Sequence, residues 1–152
     1  MRVLLTSTGL ETEEIKECFV KMADREMSLM KALFIPTAAI DAGAIEVLPK
    51  CMNDLLKCGI PAGNIRVYDL HAGMEIEELQ QYDVVYLCAG SLLFANNLPS
   101  NLGLIDTKLD VHCADGEKRG KLAYPLKDQV KLTNTGALVI RDIPNAMEII
   151  GE

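Results

Sequence analysis

Apolar positions recur with two different periods along this chain, and the balance between them changes about two-thirds of the way through. Arg2–Thr6 is a short apolar run of strand length. Glu11–Arg25 then sets Ile15, Phe19 and Met22 at three- and four-residue spacing, the stripe of a helix. Thr12 offers a cap, and Glu13 and Glu14 stand in the first turn, where the helix dipole favours negative charge. Ala32–Ile35 predicts a strand stopped by Pro36, and Ala44–Lys57 a helix that ends at Gly59. Ile65–Leu70 is the third strand, Glu75–Gln81 a short acidic helix and Asp83–Cys88 the fourth strand. Strands alternating with helices imply parallel pairing through right-handed crossovers. The prediction is an α/β fold, an open, mostly parallel sheet flanked by helices.

Beyond Cys88 the pattern turns to strands. Asn96-Asn97-Leu98-Pro99-Ser100-Asn101 is loop chemistry, and Asp115–Gly120 is a charged turn. Thr107–Val111, Gln129–Thr133 and Ala137–Arg141 read as strands, and Asp142–Asn145 links the last of these to Met147–Ile150 as a hairpin. The C-terminal third is therefore β-rich and expected to pair antiparallel. No repeat or linker interrupts residues 1–152, which suits one domain.

Composition narrows the function classes. With 49% apolar and 24% charged residues the chain is neither disordered nor of low complexity. Twenty-two acidic against 15 basic residues give a net charge of −7, which repels phosphate-covered surfaces, so no nucleic acid and no anionic membrane partner is expected. Apolar runs such as Val84–Cys88 and Ala137–Ile140 fall far short of the roughly 20 residues of a membrane span. Arg2 precedes only three apolar residues before Thr6-Ser7-Thr8, too few for a signal peptide. Cys18, Cys51, Cys58, Cys88 and Cys113 are odd in number and form no CxxC pair, which reads as free thiols in a reducing compartment. A cytoplasmic protein is expected.

Four ordered segments carry a resemblance. They are Leu4-Leu5-Thr6-Ser7-Thr8-Gly9-Leu10, Ala32-Leu33-Phe34-Ile35-Pro36-Thr37-Ala38, Asn64-Ile65-Arg66-Val67-Tyr68-Asp69-Leu70 and Tyr82-Asp83-Val84-Val85-Tyr86-Leu87-Cys88-Ala89-Gly90. In that order they resemble the aspartyl dipeptidase (dipeptidase E) family of serine peptidases. The likeness runs to about Leu98 and resumes from about Leu102, with Thr133–Ile150 similar to the family's closing strands. It implies the fold of class I glutamine amidotransferases, a flavodoxin-like wind. It also implies acyl transfer to a serine held on a Gly-x-Ser-Ala-Gly elbow. A histidine from a later strand end would be the base, and backbone amides in a Gly-Gly-Asn/Asp-Thr motif after the fourth strand would hold the oxyanion.

Carried over position by position, the resemblance places His112 as that base. The oxyanion motif reads Ala89-Gly90-Ser91-Leu92, with alanine in place of one glycine. The elbow is missing: none of Ser7, Ser28, Ser91 and Ser100 lies in Gly-x-Ser-x-Gly. Only 21 residues separate Gly90 from His112, whereas one βαβ unit alone takes about 30. An internal deletion between about 91 and 107 accounts for the shortfall.

The expectation is thus a shortened homologue without serine-peptidase activity. It would act as a binding or regulatory module for a small peptide or small molecule, in a cleft around Ser7, Gly9, Ala89, Gly90 and His112. The alternative is a residual hydrolase using Cys88 or Ser91 with His112, since open α/β sheets bind ligands at the C-terminal ends of their strands. The plainer reading of Cys88 is core filler, and Cys113, next to His112 on a strand, would face the other way. Thr6-Ser7-Thr8-Gly9 could offer amides to an anion but lacks dinucleotide-binding spacing.

No cofactor is implied. Asp110, His112, Cys113, Asp115 and Glu117 match no closed tetrahedral set, so no metal site is expected. His71 reads as a loop residue, and Glu75, Glu77 and Glu78 as a solvated helix face. Loss of strands from a sheet exposes an apolar edge, so a homodimer that completes the sheet or buries Leu92, Leu93, Phe94 and Leu98 is expected.

Overall fold

Thr12 sets the start of the first helix. Its hydroxyl accepts from the Ile15 amide at 3.2 Å and its carbonyl from the Lys16 amide at 3.0 Å, so α1 spans Glu13–Ala23, two residues inside the predicted boundary at each end. Asp24 follows at φ +54, outside helical geometry. The computed structural model describes residues 2–88, 108–123, 126–127, 129–142 and 146–151. Ala89, Gly90, Ser91, the apolar group Leu92, Leu93, Phe94 and Leu98, and the expected deletion between 91 and 107 lie outside the described residues. The chain divides into two compact units, Met1–Met22 with Gly103–Glu152, and Ala23–Leu102.

The first unit is built on β1 (Val3–Thr6), β5 (Lys108–Asp110), β6 (Gly120–Lys121), β7 (Gln129–Lys131), β8 (Ala137–Asp142) and β9 (Ala146–Ile150). One sheet has the order β1-β8-β9-β6, all antiparallel, and β5 pairs with β7 separately. β8 lies between β1 and β9, and its Ala137, Leu138, Val139 and Ile140 are buried to within 1%. That explains its unbroken apolar run, since a central strand covered on both faces has no polar face to show. Ile15, Cys18 and Met22 of α1 add to this core, and Leu5 of β1, Met147 and Ile149 of β9 complete it.

The second unit contains β2 (Ala32–Ile35), α2 (Ala42–Glu46), α3 (Leu48–Lys57), β3 (Ile65–Val67), α4 (Ile76–Leu79) and β4 (Val84–Leu87). Its parallel sheet has the order β3-β2-β4, with Ala32 level with both Ile65 and Val84. β2 is central and buried at all four positions, and Pro36 ends it as predicted. Leu33, Ile35 and Tyr68 form a core against which Leu70, Met74, Tyr82 and Leu87 pack. The protein is therefore mixed α/β, with parallel and antiparallel sheets.

Three expectations are corrected. The helix predicted over Ala44–Lys57 is two helices, because Pro49 has no amide to donate to Ile45; α2 closes at Glu46 and α3 opens with Pro49 in its first turn. α2 also begins early, since Asp41 accepts from the Ala44 amide at 2.9 Å and caps it. β1 does not join the parallel sheet: its backbone pairs with β8 from Val3↔Ile140 to Thr6↔Ala137. Finally, β5 and β7 pair parallel, not antiparallel. The chain between Asp110 and Gln129 is long enough for the crossover that parallel pairing requires. The end of α3 is as predicted, with Gly59 at φ +102 and the Ile60 amide reaching the Leu55 carbonyl at 3.2 Å. Among the described residues no helix is long and apolar enough to cross a membrane.

Candidate functional site

Sheet direction alone brings three loops of the first unit to one corner. β1 and β8 are antiparallel, so the residues after Thr6 leave beside those that precede Ala137. β5 and β7 are parallel, so His112 leaves β5 beside the turn that leaves β7. That turn, 132–136, connects β7 to β8 and thus touches both sets. The Leu132 amide donates to the Asp110 carbonyl at 2.8 Å and the Cys113 amide to the Leu132 carbonyl at 3.0 Å, which ties the two exits together around His112.

Ser7, His112 and Asn134 meet at this corner. The backbone N–H of His112 donates to Ser7 Oγ over 2.7 Å. His112 Nδ1 lies 2.8 Å from Asn134 Oδ1 and 3.4 Å from Ser7 Oγ. Asn134 Oδ1 is an acceptor only, so a proton on Nδ1 is what satisfies this contact. The Thr8 hydroxyl donates to the Asn134 carbonyl at 2.6 Å and holds the asparagine backbone. His112 itself is exposed and stands at φ +59, a left-handed conformation uncommon for a residue other than glycine. Strain of that kind persists where surrounding contacts over-determine it, and it concentrates at functional positions.

The turn that carries Asn134 is supported from behind. The Gly136 amide donates to the Thr133 carbonyl at 3.2 Å. Gly151, at φ +80, packs so closely that a Cβ there would lie 1.9 Å from the Thr135 carbonyl oxygen, so only glycine fits. A Cβ on Gly116 would meet Thr133 Cγ2 at 2.9 Å.

The other predicted residues are distributed as follows. Gly9 has φ +80, and its amide donates to Thr6 Oγ1 at 3.0 Å, so it is engaged in its own turn and not offered to an anion. Cys88 directly follows β4 in the second unit, buried, with Sγ 3.8 Å from the Ile35 carbonyl. The neighbouring Cys51 thiol, and then burial, push its thiol far up, the opposite of what an activated nucleophile needs. Cys113 Sγ turns back to the Val111 carbonyl at 3.8 Å. Asp110 takes Lys108 at 3.3 Å and the Gln129 amide, and Glu117 takes Lys127 at 2.7 Å. Among the described residues no group of three or more His, Cys, Asp or Glu could hold a metal ion. His71 Nδ1 lies 2.8 Å from Asp69 Oδ1 in an exposed turn, and the His71 amide, then its ring, hold the Asp69 carboxyl below its ordinary value.

Sequence reasoning passed over Asn134, and weighed Thr8 only for its backbone amide. The signal was present in Thr133-Asn134-Thr135-Gly136, a turn tetrad between two strands, but its meeting with His112 depends on the β5–β7 pairing that the pattern misassigned. No protein-family model matches the chain, and comparison with curated proteins gives no match.

Proposed function

We propose that this protein is a binding or regulatory module for a small peptide or small molecule, built on a shortened dipeptidase E-like scaffold that has lost serine-peptidase chemistry. One observation carries the reading: Ser7 Oγ and Asn134 Oδ1 face the same imidazole nitrogen of His112, and the nearer of them, Asn134 Oδ1, can only accept a hydrogen bond. A general base must present an unprotonated nitrogen to the hydroxyl it activates. Ser7 instead accepts the His112 amide, which fixes the histidine in place. Nε2 remains as a preset hydrogen-bond acceptor, suited to an ammonium or amide N–H of a ligand. A net charge of −7 favours approach of such a donor.

The order β3-β2-β4 supports the scaffold, because a chain that moves from the centre to one edge and then to the other begins a flavodoxin-like wind. Cys88 gives the alternative hydrolase reading little support, since Cys51 beside it and burial raise its thiol pKa in the reduced protein. Assembly as a homodimer through the sheet edge or the Leu92–Leu98 segment belongs to the same reading.

The test is incubation with a serine-directed fluorophosphonate and with dipeptides bearing N-terminal Asp. Neither labelling nor turnover is expected, while the dipeptides shift His112 resonances in NMR spectra. Labelling of Ser7 or efficient cleavage would overturn it.

A further inference from the structure

The second unit holds two thiols that the proposed binding site leaves unused. α3 connects the parallel strands β2 and β3, so it runs opposite to them and to β4. The Tyr86 hydroxyl of β4 donates to Asp54 Oδ2 of α3 over 3.3 Å, which fixes the register of helix on strand. Cys51 lies three residues before Asp54, on the same helix face, and Cys88 lies two residues after Tyr86, on the same strand face. Because helix and strand run in opposite directions, these two steps go the same way. They bring Cys51 towards Cys88, close enough for each thiol to shift the ionisation of the other. Both are free and buried, on either side of the helix–sheet contact.

We propose that Cys51 and Cys88 are a peroxide-oxidisable pair, in which Cys51 reacts with a small hydroperoxide and Cys88 resolves the product into a disulfide that joins α3 to the end of β4. In the first step Cys51 Sγ⁻ attacks the peroxide, an S–O bond forms, the O–O bond breaks, and the leaving oxygen departs as water or alcohol after taking a proton. Cys51 becomes a sulfenic acid, oxidised by two electrons as the peroxide is reduced. In the second step Cys88 Sγ attacks the Cys51 sulfur, the S–S bond forms, and the S–O bond breaks as water leaves.

The division of roles follows from the surroundings. Cys51 is the attacking thiol because the neighbouring Cys88 thiol lowers its pKa against burial, with further lowering from Tyr86 and Lys50 against the charge of Asp54. Cys88 is held up by the neighbouring Cys51 thiol, by burial and by the negative charge on Cys51. Once Cys51 is a neutral sulfenic acid its charge no longer opposes ionisation of Cys88. Burial of both sulfurs selects small hydroperoxides over bulky disulfides.

The experiment treats the full-length protein with stoichiometric hydrogen peroxide and maps its peptides without reduction. Cys58 and Cys113 are the more exposed thiols, so exposure alone would oxidise them first. The expected result is joint loss of the Cys51 and Cys88 thiols into one cross-linked peptide pair before Cys58 or Cys113 changes. In Cys88→Ser, Cys51 stops at a sulfenic acid that a 1,3-dione traps. The wild-type rate rises with pH to its half-maximum at about 7, under the ordinary thiol value of about 8.5. Oxidation of Cys58 or Cys113 with Cys51 and Cys88 still reduced would overturn the proposal, and this wild-type map stands whether or not the variant folds.

Discussion

His112→Gly separates the cost of the site from its use. In the native turn His112 stands at φ +59, and a left-handed residue with a Cβ costs about 1–2 kcal/mol. Glycine removes that cost. It also removes the Nδ1–H bond to Asn134, an exposed contact worth about 0.5–1 kcal/mol, and adds about 0.5–1 kcal/mol of unfolded-state entropy. The backbone donation to Ser7 Oγ is kept, because glycine has the same amide. The sum is close to zero, so His112→Gly should be about as stable as the native protein. His112→Ala keeps the strain and loses the same side-chain bond, which places it about 1 kcal/mol below the glycine variant. For a chain of this length that is a gap of about 2–4 °C in Tm. The assay is thermal unfolding followed by far-UV circular dichroism, since the chain has no Trp. Both variants lose the response to ligand. If alanine proved equal to or more stable than glycine, the left-handed turn held by Ser7 would be refuted, and with it the case for a strained, functional histidine.

Further tests follow from the same corner and from the cores. Gly151→Ala forces a Cβ into the Thr135 carbonyl and should cost about 3 kcal/mol or more, read as a fall in urea midpoint together with loss of the ligand response. Asn134→Ala should free Nδ1 and randomise the His112 ring while lowering stability by no more than about 1 kcal/mol, checked by NMR and urea unfolding. Leu138→Ala, at a fully buried position of β8, should cost about 2–5 kcal/mol in the same unfolding assay. Asp69 has a folded pKa below its unfolded one, so its contribution to stability is complete above the unfolded value near 3.9 and is lost as pH falls through the lower folded value. Asp69→Asn should therefore flatten the acid limb of the stability profile below about pH 4. Sedimentation at high micromolar concentration should show a dimer, and a clean monomer would refute assembly through the sheet edge.

Local pattern was enough for most elements and too little for the site. β2, α1 and β4 were readable because apolar spacing, a capping Thr12 and a terminating Pro36 are properties of adjacent residues. The break at Val47 was also readable, in Pro49, but the apolar stripe on either side of it hid the missing amide. Pairing was harder, because period and length do not say which strand lies beside which. β1 could satisfy its backbone in a parallel sheet or beside β8, and the choice rests on register over more than 130 residues of sequence separation. His112 and Ser7 were both in view as site residues. Their contact, and the part of Asn134, follow from the long-range pairings β1·β8 and β5·β7, which no local signal contains.

The most direct measurement of the central claim is the protonation pattern of the His112 ring, read from long-range ¹H–¹⁵N spectra of protein labelled at its two histidines, with His71→Gln to assign them. The prediction is a proton on Nδ1, a bare Nε2, and a shift of the Nε2 resonance when an N-terminal Asp dipeptide is added without being cleaved. A proton on Nε2 with a bare Nδ1 facing Ser7, joined to a fluorophosphonate adduct on Ser7, would contradict it and restore a working serine–histidine pair.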